Sequence, residues 1–315
     1  MKAMVFTRYG PPDVLELRDV EKPVPKDDEV LVRVHAASIN DWDWGALHGT
    51  DFVNRVIFGL LKPKKGKQVL GSDIAGTVEA VGKNVVRFRP GDDVFGDLSG
   101  TWGGFAEYVC AREKALALKS PGMSFEQAAA IPQPAMLAVQ GLRDVVTIRP
   151  GQKVLINGGG GSTGVFAIQL AKLYGAEVTA VDSAAKLDLM RSLGADHVLD
   201  YARDDFTMRP ERYDVILDVK TRRPVPECLR ALNRDGTYVT LGGSMGGLLL
   251  SLWRKQVRIV VLEVNKDLEY VKGLFEAGKL VPVVDGPYAL SELPEAMRHF
   301  GSGQHKGKVV LAVGD

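Results

Sequence analysis

The residues best suited to chemistry lie in KVLINGGGGSTGVFAIQLAK, residues 153–172. A short apolar run ends at Asn157, glycines fill 158–161, Gly164 follows, and apolar periodicity predicts a helix over Ser162–Tyr174. Glycine in that pattern permits a tight strand-to-helix turn, backbone approach to a diphosphate, and close helix–strand packing. The helix N-terminus then turns unpaired N–H groups and a partial positive charge toward phosphate oxygens. Asp182 closes the next strand-like run 18 residues past Gly164, near the ~20 expected of a carboxylate that takes ribose hydroxyls. The pattern predicts a dinucleotide site built from Gly158, Gly161, Ser162, Thr163, Gly164 and Val165, with Asp182 at the ribose.

Such a loop needs a parallel sheet behind it. From about Ser120, the strand-like runs Lys153–Asn157, Glu177–Val181, His197–Leu199, Val215–Val219 and Tyr238–Leu241 are interleaved with helical runs. The helical runs are Ser162–Tyr174, Lys186–Leu193 and Pro226–Leu232. That alternation predicts βαβ units. Ser124, with Gln127 three residues on, predicts a capped helix start. The first hundred or so residues read differently, as short strands such as Met1–Thr7, Glu29–Ala36 and Ile74–Val81 cut by Gly and Pro turns. They predict an all-β module, a small barrel with long loops. Lys308–Val313 predicts a strand that returns to it.

The chain has 315 residues, enough for about two domains. Its 40 basic and 39 acidic residues leave a net charge of +1, which gives no whole-chain attraction to nucleic acid or an anionic membrane. Cys110 and Cys228 are the two cysteines, too few for a disulfide framework or a four-thiolate zinc site, and in keeping with a reducing compartment. The longest apolar stretches, Leu248–Trp253 and Ala128–Gln140, fall short of the ~20 residues of a membrane helix. No targeting signal opens the chain, and a cytoplasmic protein is expected. The basic run Lys62–Lys67 reads as a solvated loop.

Several motifs occur in order beside the glycine loop: GSDIAGTVEAVGKNVVRFRPGDDVFG at 71–96, GGFAEYV at 103–109, RSLGADHVLDY at 191–201 and HKGKVV at 305–310. Through them the chain resembles the medium-chain dehydrogenase/reductase superfamily, in the zinc-independent quinone oxidoreductase branch that includes zeta-crystallin. The resemblance spans essentially the whole sequence. It implies an α/β fold with a GroES-like β-barrel catalytic domain at 1–118 and a Rossmann NAD(P)-binding domain, a doubly wound parallel sheet, at 119–280. Residues 281–315 would return to the catalytic domain.

Zinc-dependent members of the superfamily hold catalytic metal with a Cys followed three residues later by Asp, and with a His-Glu after glycine. Here those positions carry Asn40, Asp43, Ser72 and Asp73, and the four-cysteine structural loop is missing. Asparagine and serine are poor zinc ligands, so no metal is expected. Without a Lewis acid an alkoxide loses its main stabilisation. A quinone or enone remains reducible, because its hydride adduct is a delocalised enolate that needs positioning and a hydrogen-bond donor. The resemblance places Asn40 at the old ligand position, either as that donor or as a residue holding the following loop. Gly45 stands where the branch carries a tyrosine and Leu137 where it often carries a hydroxyl residue, so solvent is the expected proton source.

Trp42, Trp44, Phe52 and Phe58, with the apolar run to Leu61, either line an apolar substrate pocket or belong to an amphipathic helix packed on the core. For the coenzyme, Asp182 favours NADH, while Lys186 and Tyr201 match the lysine and tyrosine that meet the 2′-phosphate in NADPH-preferring members. Ser183, Gly242 and Lys308 complete the implied cofactor contacts. NADPH is the expected coenzyme, with NADH as the alternative. The resemblance implies an NAD(P)H-dependent reductase of quinones or α,β-unsaturated carbonyls. A zinc-free alcohol dehydrogenase and a non-catalytic NADP(H)-binding scaffold are the alternatives. It also implies a small apolar electrophile as partner, no nucleic acid or membrane, and a homodimer formed through Rossmann edge strands. Gly247–Leu262 is either that interface or a buried segment.

Overall fold

The computed structural model describes residues 1–50, 52–242 and 250–314. The strands are β1 (Lys2–Phe6), β2 (Leu15–Asp19), β3 (Glu29–Ser38), β4 (Asp73–Val81), β5 (Asp93–Asp97), β6 (Tyr108–Arg112), β7 (Ala117–Leu118), β8 (Lys153–Asn157), β9 (Glu177–Asp182), β10 (His197–Asp200), β11 (Tyr213–Asp218), β12 (Leu232–Thr240), β13 (Val257–Ile259), β14 (Val284–Ala289) and β15 (Lys308–Ala312). They fall in two compact units. The first comprises Met1–Gln133, Val264–Lys272 and the chain from Val283 onward; the second comprises Pro134–Glu263 and Gly273–Pro282.

In the first unit the main sheet runs β14-β15-β3-β4-β5-β7. β3 is its organiser. Its sequence EVLVRVHAAS is buried at most positions, as a strand covered on both faces must be. Along one edge it pairs with β4; along the other it takes β6 at Glu29–Arg33 and β15 at Ala36–Ser38. The register sets Ser38 beside Asp73, Asp73 beside Asp97, and Val310 beside Ser38. One end of four adjacent strands therefore collects polar residues that are far apart in sequence. Ser124 caps the helix Phe125–Ala129, and Gln127 bonds back to its N–H at 3.0 Å.

The second unit holds a six-stranded sheet in the order β10-β9-β8-β11-β12-β13, with every pairing parallel. Strand order reverses between β8 and β11, and ligands of such sheets bind outside the carboxyl ends of the strands at that point. The helix Ser162–Leu173 follows β8 with an almost wholly buried first half.

The segment after residue 51 departs from its sequence pattern. Helical apolar spacing runs to Leu61, yet the helix covers only Phe52–Phe58 and stops at Gly59. Phe58 packs in the core against Phe6 and Trp102, while Val53, Val56, Leu60 and Leu61 face solvent. Among the described residues no helix is long and apolar enough to cross a membrane. Of the segment Gly247–Leu262, residues 247–249 lie outside the described residues.

Candidate functional site

The glycine loop is held by backbone geometry. Gly158 has φ +96°, a conformation L side chains rarely adopt, and it and Gly159 donate to the Val181 carbonyl at 2.8 and 3.0 Å. A Cβ on Gly164 would come 2.1 Å from the Gly158 carbonyl oxygen, so the helix can start this close to the turn only with glycine there. Gly161 is the N-cap residue, and Ser162, Thr163, Gly164 and Val165 form the first turn. The N–H groups of that turn suit a diphosphate. These residues fit a bound dinucleotide.

Asp182, Ser183, Lys186 and Tyr201 gather at the carboxyl ends of β9 and β10. The Asp182 carboxylate accepts the Gly160 N–H at 3.0 Å through Oδ2 and the Ser183 N–H at 2.8 Å through Oδ1. Lys186 Nζ stands 3.4 Å from Oδ1, in a fully buried pair at i,i+4 spacing. The lysine stem lies across Gly160, where an added Cβ would come 2.6 Å from Lys186 Cδ. Tyr201 donates its N–H to the Asp182 carbonyl at 3.1 Å and leaves its side chain exposed. Gly242 lies past the end of β12, its N–H 3.4 Å from Thr240 Oγ1. Asp182 thus braces the glycine loop before any ribose arrives.

In the first unit, Asn40 heads the helix Asp41–His48. Its N–H donates to Asp43 Oδ2 at 2.9 Å, and the other Asp43 oxygen accepts the Gly71 N–H at 2.9 Å. Asn40 Nδ2 donates to Ser72 Oγ at 2.9 Å, and Asn40 Oδ1 accepts from Lys308 Nζ. The same ammonium lies 3.3 Å from Asp73 Oδ2, and Gln133 N–H reaches both Asp73 oxygens at 3.3 Å. Asp97, next to Asp73 across the sheet, accepts from Ser99. All these carboxylates and the lysine are buried. Burial, only partly offset by Lys308, pushes Asp73 up to about 7; burial likewise pushes Asp43 up to about 6, against the backbone N–H groups of Asn40 and Gly71. It raises Asp97 too.

Lys308 therefore joins Asn40. Its ammonium donates only, which fixes the Asn40 amide with Oδ1 toward the lysine and Nδ2 outward from it. Sequence reasoning missed Asp43, Asp73 and Asp97 as its counter-charges. The available signal was a lysine and an aspartate each opening an apolar strand, KVVLA and DIAGTVEAV. The aromatic residues do not assemble into one wall. Phe58 is core, Trp44 packs on His48 and Phe300, and Trp42 and Phe52 are exposed.

A zinc ion suits this cluster poorly. Of Asn40, Ser72 and Asp73, only one is anionic, and that one already faces an ammonium, which a dication would repel. Among the described residues no three His, Cys, Asp or Glu side chains converge as a metal site.

A barrel-type sheet unit bearing a buried polar cluster and a 3-2-1-4-5-6 parallel sheet bearing a glycine loop define a two-part, dinucleotide-binding dehydrogenase fold. The chain belongs to the medium-chain dehydrogenase/reductase superfamily. Residues 26–121 match the alcohol dehydrogenase GroES-like domain family, and residues 193–311 match the zinc-binding dehydrogenase family. The chain is 34% identical to a 2-methylene-furan-3-one reductase of Solanum lycopersicum, over 99% of this chain and 79% of that protein. It is also 34% identical, with the same coverage, to a chloroplastic NADPH-dependent alkenal/one oxidoreductase of Arabidopsis thaliana. Among solved structures, the quinone oxidoreductase from Coxiella burnetii superposes with a TM-score of 0.91 at 30% identity, covering 100% of this chain and 99% of that one.

Two outcomes follow from this geometry. Gly164→Ala must push the helix off the loop, at about 1–3 kcal/mol. It is expected to weaken NADPH binding at least about tenfold by titration calorimetry; unchanged affinity would place the diphosphate elsewhere. Asp73 holds protons that an unfolded carboxyl, with a pKa of about 4, has released. Its contribution to stability is therefore present below about pH 4 and lost as pH rises through about 7. Between those limits the urea midpoint of the native protein should fall more steeply than that of Asp73→Asn; equal slopes would show that Asp73 stays ionised throughout.

Proposed function

We propose that this protein is a metal-independent, NAD(P)H-dependent reductase of quinones or α,β-unsaturated carbonyl compounds. The observation that carries the reading is the buried Asn40 amide, oriented by Lys308 at Oδ1 and by Ser72 and Asp73 at Nδ2, which can turn an Nδ2 hydrogen from those partners to an acceptor oxygen. An oriented donor in a water-poor setting is what a developing enolate oxygen requires. The named activities of the tomato and Arabidopsis relatives, both reductions of conjugated carbonyls by their names, support it.

The second unit would supply the coenzyme grip: the N–H groups at Gly161–Gly164 would take the diphosphate, and the β9 end the adenosine ribose. When bound, the dihydronicotinamide supplies a hydride. Asn40 would donate to the acceptor oxygen as negative charge grows on it, and solvent would supply the proton, to the α-carbon of an enone or to the oxygen of a quinone. No side chain of the cluster is asked to act as an acid.

NADPH is the favoured coenzyme in this reading, because both Asp182 oxygens are already engaged by the loop, by Ser183 and by Lys186. A 2′-phosphate would draw Lys186 and Tyr201 toward it and leave Asp182 to its backbone donors. A homodimer formed along β13 fits as well. That strand is the sheet edge, and beside it Trp253 is 85% exposed.

Steady-state assays with NADPH and NADH, against 1,4-benzoquinone, 9,10-phenanthrenequinone, a short alkenal and a saturated aldehyde, test the reading. Turnover on the conjugated acceptors alone, unaffected by a chelator, is expected, and Asn40→Ala should lower kcat about 10²–10³-fold with little change in KM. Zinc-dependent turnover of the saturated aldehyde would overturn it. Lys186→Ala should raise the KM for NADPH roughly tenfold or more while that for NADH changes little. Equal losses would restrict Lys186 to bracing Asp182.

A further inference from the structure

Residues 52–67 form a largely exposed surface of the first unit. Within the helix Phe52–Phe58, Asn54 and Phe58 turn inward, whereas Phe52, Val53 and Val56 turn to solvent. Leu60 and Leu61 continue the outward run, Phe52 being 74% and Leu61 92% exposed. A solvated surface helix ordinarily presents the opposite arrangement.

The charge of the segment is equally one-sided. From residue 52 to residue 72 the sequence holds Arg55, Lys62, Lys64, Lys65 and Lys67 and no acidic residue, in a chain whose net charge is only +1. Arg55 is engaged by the carbonyls of Gly49 and Leu60, Lys64 by that of Val56, and Lys67 by the Trp102 ring. Lys62 and Lys65 are exposed and have no partner among the described residues.

We propose that this face docks on an anionic lipid surface, with Phe52, Val53, Val56, Leu60 and Leu61 entering the acyl boundary and the lysines lying at the level of the headgroups. Projecting apolar side chains ringed by lysine are the composition of an interfacial, non-spanning contact. A second copy of the chain fits worse. A two-fold contact sets the same patch against itself, and here that opposes the five cations of the segment to five like them. The whole-chain charge argument misses this surface because it averages over 315 residues. The proposal stands whether or not the reductase reading holds.

Co-sedimentation of the full chain with vesicles of phosphatidylcholine alone, and of phosphatidylcholine mixed with phosphatidylserine, tests it. Binding to the mixed vesicles only, weakening as salt rises, is expected. A lysine near an anionic surface is worth roughly fivefold in partitioning, so Lys62→Glu with Lys65→Glu should lower it about 25-fold or more. Val53→Ser with Leu61→Ser should abolish binding while the thermal midpoint holds, which separates lost docking from lost fold. Equal sedimentation with both vesicle types, no sedimentation with either, or binding that survives both double variants overturns the proposal. So does self-association in sedimentation equilibrium that Val53→Ser with Leu61→Ser removes, since that would give the face to a second copy.

Discussion

The first unit is organised around one buried ammonium group, Lys308 Nζ. It stands among Asp73, Asp43 and Asp97, none of which water reaches, and it bonds Asn40 directly. Taking such charges out of water costs several kcal/mol each, and a pair of them recovers that only when the remaining lone pairs are also satisfied. Here they largely are. Backbone N–H groups of Asn40, Gly71, Ser99 and Gln133 approach the carboxylates from four different segments. The pairing of β15 with β3 and of β3 with β4 is what brings those segments together. In this chain a lysine meets the local demand for positive charge.

The second unit uses carboxylates in the same way, at the ends of strands. Asp182 gathers Gly160, Ser183 and Lys186, while Asp218 at the end of β11 gathers Asn157, Tyr238, Lys220 and Thr221. Asp182 ties two loops to its strand end, and Asp218 ties a loop to the strands on either side of it. The glycine loop consequently has its shape before a ligand approaches, and less ordering entropy has to be spent when one does.

The parts of this architecture that are local in sequence could be read from it. The glycine loop is a contiguous pattern, and the alternation of strand and helix behind it predicts the parallel sheet. The Asn40–Lys308 contact spans 268 positions and has no local signature. Lys186 is matched by position alone; its i,i+4 spacing from Asp182 is a second, local signal, that of the ion pair it makes. In residues 53–61 the helical period is present, but a period states only that a face exists. Whether that face turns to the core or to water depends on Phe58, which fills the space between Phe6 and Trp102 and so fixes the rotation of the helix.

The position of β15 bears on how the chain is made. β15 lies inside the sheet, between β14 and β3, and it carries the lysine that neutralises the carboxylates of β4 and β5. Until residues 308–312 leave the ribosome, the first unit lacks both a strand and its counter-charge. The second unit is complete by residue 282 and can close earlier. The half that is translated first therefore cannot complete its sheet until β15 has been made. For the interval between, its apolar strands and acidic residues wait exposed, which is the stretch of the protein's life in which a holding chaperone matters most.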